Sequence, residues 1–414
     1  MSTPAFVPIN GPRLLASLQA LGQMGALPGG GVNRLALTDA DRLGRDWTVA
    51  RMRELGLRVE VDAIGNIFAH LAGAEDVPPV MMGSHIDTVR TGGLYDGNYG
   101  VLAALEVVAT LREAGVQTRR PLAVAVFTNE EGARFQPDMM GSLVYVGALP
   151  LKEALTTCDA EGLTVQAELQ RIGYQGTAPV GLPVVDSFVE LHIEQGPVLE
   201  REGVQIGVVE GVQGISWTEF TVEGQSNHAG TTPMAMRHDA ALVAAQVAVH
   251  VRELSARMGG RQLATVGSVR LSPNLVNVIA QKAVFTVDLR NTNGAALAQA
   301  EADVQAFALR VAEAEGVRIC SRSLARFEPV AFDPSVVDLV ERQAQALGCT
   351  HQRMPSGAGH DAQMLARVCP SAMIFVPSAG GLSHNVREHT EPDDLLRGAQ
   401  LLLQVVAELA NRTS

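Results

Sequence analysis

Apolar residues recur at helical spacing in RLLASLQALGQMG and again in DWTVARMRELG, so residues 11 to 56 read as helical. RVEVDAIGNIFAHLAG alternates and has strand character, and PPVMMGSHID is a short apolar strand that ends in polar residues. GNYGVLAALEVVATLREAG reads as a helix with a glycine stop signal, and RRPLAVAVFTNEEG as the next strand. Strand, helix, strand with polar residues at the strand ends is the logic of an open α/β sheet. Such sheets place ligands off the carboxyl ends of their strands.

The middle of the chain has a different rhythm. GISWTEFTVEGQSNHAGTTP is a strand running into a turn, and HDAALVAAQVAVHVRELSARMG is a long amphipathic helix. LATVGSVRLSPNLVNVIAQKAVFTVDLRNT reads as strands around a turn, followed by the helix GAALAQAEADVQAFALRVAEAEG. This strand–helix–strand–strand–helix stretch is about 110 residues, the size of a domain. It predicts an α+β domain over 213–327 inserted into an α/β domain built from 1–212 and 328–414. The outer domain then closes with a helix (VVDLVERQAQALG), a strand (SAMIFVPS) and a final helix (DLLRGAQLLLQVVAELA).

Composition narrows the possible functions. A chain of 414 residues exceeds what one hydrophobic core organises, and 47% apolar with 18% charged residues describes a globular protein. A net charge of −12 without a basic cluster excludes nucleic acid as a partner. Cys158, Cys320, Cys349 and Cys369 are widely spaced, as reduced intracellular thiols are. The N-terminus shows no basic leader before an apolar run, and no stretch has the roughly 18 apolar residues of a membrane helix. A cytoplasmic protein without a membrane partner is expected.

The chemistry-bearing residues sit just after predicted strands or in the loops that follow. His85 and Asp87 close VMMGSHID; Asp96 lies in GGLYDGNYG; Glu130 and Glu131 follow PLAVAVFTN; His192 lies in ELHIEQG and His384 in SAGGLSHNVRE. Residues i and i+2 of a strand share a side, so Asp87 can orient the His85 imidazole. Taken singly, each has an ordinary role: a surface histidine, a turn aspartate, a solvated glutamate pair. Three histidines with these carboxylates at equivalent strand ends are less easily ordinary, and imidazole with carboxylate suits zinc and related metals. A Ser–His–Asp hydrolase is the weaker alternative, because no G-x-S-x-G elbow lies between a strand and a helix.

GSHIDT…GGLYDGNYG, TNEEGARF, LHIEQGPVLE, GQSNHAGTTPM, SGAGHDA and SHNVREHT together resemble the amidase, hydantoinase and carbamoylase branch of the two-metal aminoacylase/carnosinase peptidase superfamily. The motifs run from residue 83 to 390 in the family's order. The resemblance implies a metallopeptidase-like catalytic domain carrying an inserted lid and dimerisation domain. It also implies two divalent metal ions, zinc ahead of manganese, cobalt or nickel. His85 and His192 would each cap one ion, Asp96 would bridge, and Glu131 and His384 would complete the two sites. Glu130 would be the general base and acid, with Asp87 behind His85. His228 would reach across from the partner subunit of a homodimer to stabilise the oxyanion. Asn277 and Arg290 match the family's carboxylate-binding pair, with Gln195 as an amide contact and Gly359 as a backbone donor; alone, Arg290 reads as a surface ion-pair residue and Asn277 as a turn residue. His360 and Asp361 read as structural.

The implied activity is metal-dependent hydrolysis of a linear amide, on a small ureido substrate with a carboxylate. N-carbamoyl-L-amino acids or N-carbamoyl-β-alanine come first, giving amino acid, ammonia and carbon dioxide. Allantoate is the runner-up, and N-acyl amino acids or dipeptides a further alternative.

Overall fold

The computed structural model describes residues 7–412. The expectation for the N-terminus and the outer ends of the first domain fall partly outside these residues. Six strands come first: β1 (Arg58–Val61), β2 (Ile67–Leu71), β3 (Val80–His85), β4 (Leu122–Phe127), β5 (Ser187–Ile193) and β6 (Ile206–Val212). Four follow in the middle: β7 (Gly214–Glu223), β8 (Leu263–Ser272), β9 (Lys282–Asn291) and β10 (Arg318–Phe327). Three close the chain: β11 (Val330–Ala331), β12 (His351–Ser356) and β13 (Ser371–Val376). The chain divides into two compact units, one of residues up to Gly211 together with those from Ala331 onward, the other Val212–Val330.

The first unit is α/β. Its mixed sheet has the order β1-β2-β4-β3-β5-β13-β6-β11, with β12 paired to β6. Within it, β4, β3, β5 and β13 are consecutive neighbours and mutually parallel. Every residue of β3, β4, β5 and β13 is buried, which is why they read as continuous apolar runs instead of alternating ones. Because the four are parallel, their carboxyl ends lie along one rim of the sheet. His85 pairs in register with Phe127, and His192 with Phe375, so the two histidines stand at matching levels on that rim. Helices Asn98–Glu113 and Pro392–Asn411 pack on these strands and on each other.

Two expectations change. The helical run 11–56 is two helices, Gly11–Gly22 and Asp39–Glu54, the second started by the Thr38 hydroxyl, which accepts the Asp41 N–H. The alternating stretch after it is a hairpin of β1 and β2. There the Asp62 carboxylate accepts the Ile64 and Asn66 N–H groups and so closes the turn.

The second unit is an antiparallel sheet, β10-β7-β9-β8, built as strand–helix–strand–strand–helix–strand. Phe220, Val222, Phe285 and Val287 form a core with Val243, Val247 and Val251 of the helix Ala240–Met258 and with Leu297 and Val304 of the helix Gly294–Glu315. The last strand, β10, pairs with β7, and sequence reading did not find it.

Candidate metal centre

The Asp87 carboxylate organises the two adjacent glutamates. It accepts the backbone N–H of Glu130 at 3.2 Å and of Glu131 at 3.3 Å, and it is buried. Burial, with Asp41 and Glu131 close by, pushes its carboxyl up to about 8. The expected contact to His85 takes another route. The His85 Nδ1–H donates to the main-chain carbonyl of Asp87 at 2.9 Å, while the Asp87 carboxylate lies 3.9 Å away. Either way Nδ1 is occupied, and the Nε2 lone pair faces the rim.

Asp96 comes from the loop between β3 and the helix that starts at Asn98. Gly97 permits this loop: its φ is +66°, and a Cβ there would stand 2.4 Å from the His85 imidazole. The Gly97 N–H donates to His192 Nε2 at 3.1 Å, and His192 Nδ1 donates to the Ile193 carbonyl at 2.9 Å. With Nδ1 engaged by the Ile193 carbonyl, it is His192 Nε2 that faces the site, beside Asp96.

The Asp96 carboxylate faces two ways. Its Oδ1 lies 3.3 Å from His192 Nε2 and 3.8 Å from His85 Nε2. Its Oδ2 lies 3.2 Å from His384 Nε2, which is also 3.2 Å from Glu131 Oε2. Two candidate ligand groups result, His85–Asp96–His192 and Asp96–Glu131–His384, each with its ligand atoms within 4.8 Å of one another. Neighbouring parallel strands bring His85 and His192 to the same oxygen of Asp96, where the expectation had each cap a separate ion.

The donor set suits divalent cations. Asp87, Asp96, Glu130 and Glu131 share the space with three imidazoles, an excess of buried negative charge that bound cations would offset. Glu131 Oε1 is buried without a hydrogen-bond partner. Burial lowers His85 to about 4. Burial also opposes charge on His192, but Asp96 raises it to about 9; Asp96 and Glu131 hold His384 up at about 11. Glu130 belongs to neither ligand group. Its Oε2 lies 3.3 Å from His85 Nε2, and burial with the carboxylates of Asp361, Glu131, Asp96 and Asp87 holds it well above the usual carboxylate range.

A cavity of about 140 Å³ opens on this cluster, lined by Asp96, Glu130, Glu131, Asp138, Gln195, Ala358, Gly359, His360 and His384. Gln195 donates through Nε2 to Asp96 Oδ2 at 2.9 Å, and its Oε1 is buried without a partner. Asn129, Gln195 and His384 all have positive φ (54°, 58° and 53°), uncommon for residues with a side chain and concentrated on this rim.

Ser383 and Glu388, with Glu190 and Asp138, escaped sequence reading. Glu388 accepts the Tyr95 and Asp96 N–H groups and the Ser383 hydroxyl, tying the Asp96 loop to the His384 loop. Both residues stand in the quoted motif around His384, which was the available signal. Glu190 joins His192 and His360 in a third close group, but its carboxylate already accepts from Ser84 Oγ at 2.6 Å and the Ala362 N–H at 2.8 Å. His360 Nε2 meets Ser356 Oγ at 3.0 Å, and Asp361 accepts from Ser142 Oγ at 2.6 Å. Asp138 carries no sequence signal at all.

The remaining candidates lie in the second unit. His228 and Asn277 are neighbours, since the Ala229 N–H donates to the Asn277 carbonyl at 2.9 Å and His228 bridges to Val278. Both are exposed. Arg290 pairs in register with Ile215, at the far end of β7, and its guanidinium bonds Asp288. The eight residue steps from Ile215 to Glu223 span roughly 27 Å. Arg290 and Asn277 are thus at opposite ends of one sheet and do not form a pair within a chain.

The comparisons agree with this architecture. An N-carbamoyl-L-amino-acid amidohydrolase of Rhizobium meliloti is 42% identical over 403 residues, covering 97% of each chain. The allantoate amidohydrolase of Bacillus subtilis is 34% identical over 402 residues, covering 95% of this chain and 96% of its own. Among solved structures, an amidase of the hydantoinase/carbamoylase family from Burkholderia multivorans superposes with a TM-score of 0.96 at 43% identity, covering 99% of this chain and 100% of its own. Residues 81–408 match the profile of peptidase family M20/M25/M40, and the chain belongs to that family.

Proposed function

We propose that this protein is a metal-dependent amidohydrolase that cleaves the ureido C–N bond of N-carbamoyl-L-amino acids. The observation that carries the reading is the division of labour at Glu130–Glu131. One Asp87 carboxylate pins both backbones, so that Glu131 joins Asp96 and His384 while Glu130 stands beside the ligand groups.

His85, Asp96 and His192 would hold one divalent ion, and Asp96, Glu131 and His384 a second, with zinc the first choice for such donors. Bound there, the ions would supply Lewis acidity, lowering the pKa of a water and polarising the ureido carbonyl. Glu130 takes the proton from the attacking water. Its raised pKa suits it to hold that proton and deliver it to the amino acid nitrogen as the C–N bond breaks. Carbamic acid, the other product, decomposes to ammonia and carbon dioxide.

In this proposal the second unit acts as lid and dimerisation domain. Arg290 anchors the substrate carboxylate, and Asn277 and His228 of a second copy complete the binding and oxyanion stabilisation. The sheet that separates Arg290 from His228 is far longer than an N-carbamoyl amino acid, which supports placing the two at one site from different copies of a homodimer. Gly359 lines the cavity and would offer its N–H. No helix among the described residues is long and apolar enough to cross a membrane, and the four cysteines are free, which favours the reducing cytoplasm.

Allantoate is the second reading, favoured by the Bacillus subtilis relative and by a substrate with a carboxylate and ureido groups. Ammonia release from N-carbamoyl-L- and D-amino acids, N-carbamoyl-β-alanine and allantoate, with chelator and after metal addition, tests both. Chelator-sensitive turnover of the L-carbamoyl substrates is expected; turnover of allantoate alone would install the second reading, and silence across the panel would remove both.

A further inference from the structure

The cavity over the ligand cluster carries several acceptors beside His360 and His384. Beyond the ligand carboxylates and Glu130, it exposes Asp138, and Gln195 contributes the unpartnered Oε1, while Ala358 and Gly359 also line it. The acceptors of such a wall suit a substrate end that carries N–H donors.

Asp138 is held there firmly. Asn129 Nδ2 donates to the carbonyls of Phe135 at 2.9 Å and Pro137 at 3.2 Å, and the Met139 N–H donates to the Glu130 carbonyl at 2.7 Å. Gln136 Nε2 donates to the Gly132 carbonyl at 2.6 Å. Gly132 sits at φ +60° against Asp138, where a Cβ would stand 2.8 Å from the Asp138 Cα. The loop that begins at the catalytic glutamates therefore folds back and returns a carboxylate to the same cavity. That carboxylate hydrogen-bonds its own backbone N–H, and burial raises its pKa, a cost that a donor from the substrate would offset.

We propose that Asp138 is a specificity-determining residue that accepts the terminal –NH2 of the carbamoyl group, selecting carbamoyl over acyl or formyl substrates. The inference rests on the amidohydrolase reading and adds the residue that reads the substrate's ureido end. A site built to bond an N–H group rejects the analogue that lacks it, because its buried acceptor is then left unpaired.

The test compares kcat/KM for an N-carbamoyl-L-amino acid and its N-formyl analogue, which keeps the scissile amide but lacks the –NH2. Both are measured on metal-loaded wild type, Asp138→Ala and Asp138→Asn, with bound metal quantified in each. Asp138→Ala is expected to lose about 10- to 100-fold on the carbamoyl substrate and less than about twofold on the formyl one. Asp138→Asn, which keeps an acceptor oxygen, is expected to fall between. Equal loss on both substrates, an unchanged ratio, or loss of bound metal would overturn the assignment of Asp138. Wild-type silence on both substrates would instead overturn the amidohydrolase reading itself.

Discussion

The backbone N–H of Glu131 donates to the buried carboxylate of Asp87 at 3.3 Å, one residue along from the matching bond made by Glu130. Removing this acceptor unpairs two buried donors at once. Asp87→Ala is expected to destabilise the fold by about 1–3 kcal/mol and to lower metal occupancy, because Glu131 is no longer held against Asp96 and His384. Denaturant unfolding and metal analysis read the two effects separately. Full metal content in Asp87→Ala would contradict the organising role.

Glu130 lies outside both candidate ligand groups, so its carboxylate is expected to be dispensable for binding metal. Glu130→Gln should keep wild-type metal content while kcat falls by about 10²–10⁴-fold. Loss of metal along with activity would make Glu130 a ligand and leave the proton carrier to be found elsewhere.

Gly97 combines a positive φ with contact against His85. Gly97→Ala should displace the imidazole as well as strain the backbone, with the strain worth about 1–2 kcal/mol. Metal titration of the refolded variant should show weakened binding. An unchanged affinity would mean that the loop yields without moving His85.

Metal uptake should release protons. His192 is held at about 9 and His384 at about 11 by neighbouring carboxylates, and the Asp87 carboxyl is up at about 8, so the apoprotein near pH 7 carries protons on all three. A cation binds the neutral imidazoles, so affinity rises with pH as the His192 proton is lost near pH 9 and goes on rising until His384 loses its own near pH 11. Calorimetry in buffers of different ionisation enthalpy measures the count. Uptake without proton release between pH 6 and 8 would contradict this charge arrangement.

Arg290 and His228 stand at opposite ends of the second unit's sheet, so each should serve a different site of a dimer. His228→Ala and Arg290→Ala should each be inactive alone. Subunit mixing should restore up to about a quarter of wild-type activity, since half the dimers are mixed and one of their two sites is intact. No recovery on mixing would place both residues at the same site.

Much of this was legible from the chain. Fully buried parallel strands must be apolar throughout, and PLAVAV and SAMIFV announce β4 and β13 on that ground alone. The glycine-flanked polar residues after such strands marked His85, Asp96, Glu131, His192 and His384, because backbone turning at a strand end needs the freedom of glycine. Local rules also located the long helices of the middle domain, whose apolar spacing repeats over several turns.

Strand order was not legible, and it decides the site. That β3 lies between β4 and β5, with β13 next, is a matter of long-range pairing, and it alone puts His85 and His192 on one oxygen of Asp96. The same limit applies in the second unit: Asn277 and Arg290 are 13 positions apart, yet β9 carries them to opposite ends of a sheet. Asp138, Glu190 and Glu388 act through contacts made only when distant loops fold together, and no spacing or composition encodes such a contact. The sequence by itself determined which residues sit at strand ends, through periodicity and turn chemistry. Which of them meet was decided by tertiary structure, because pairing register and burial are properties of the assembled sheet.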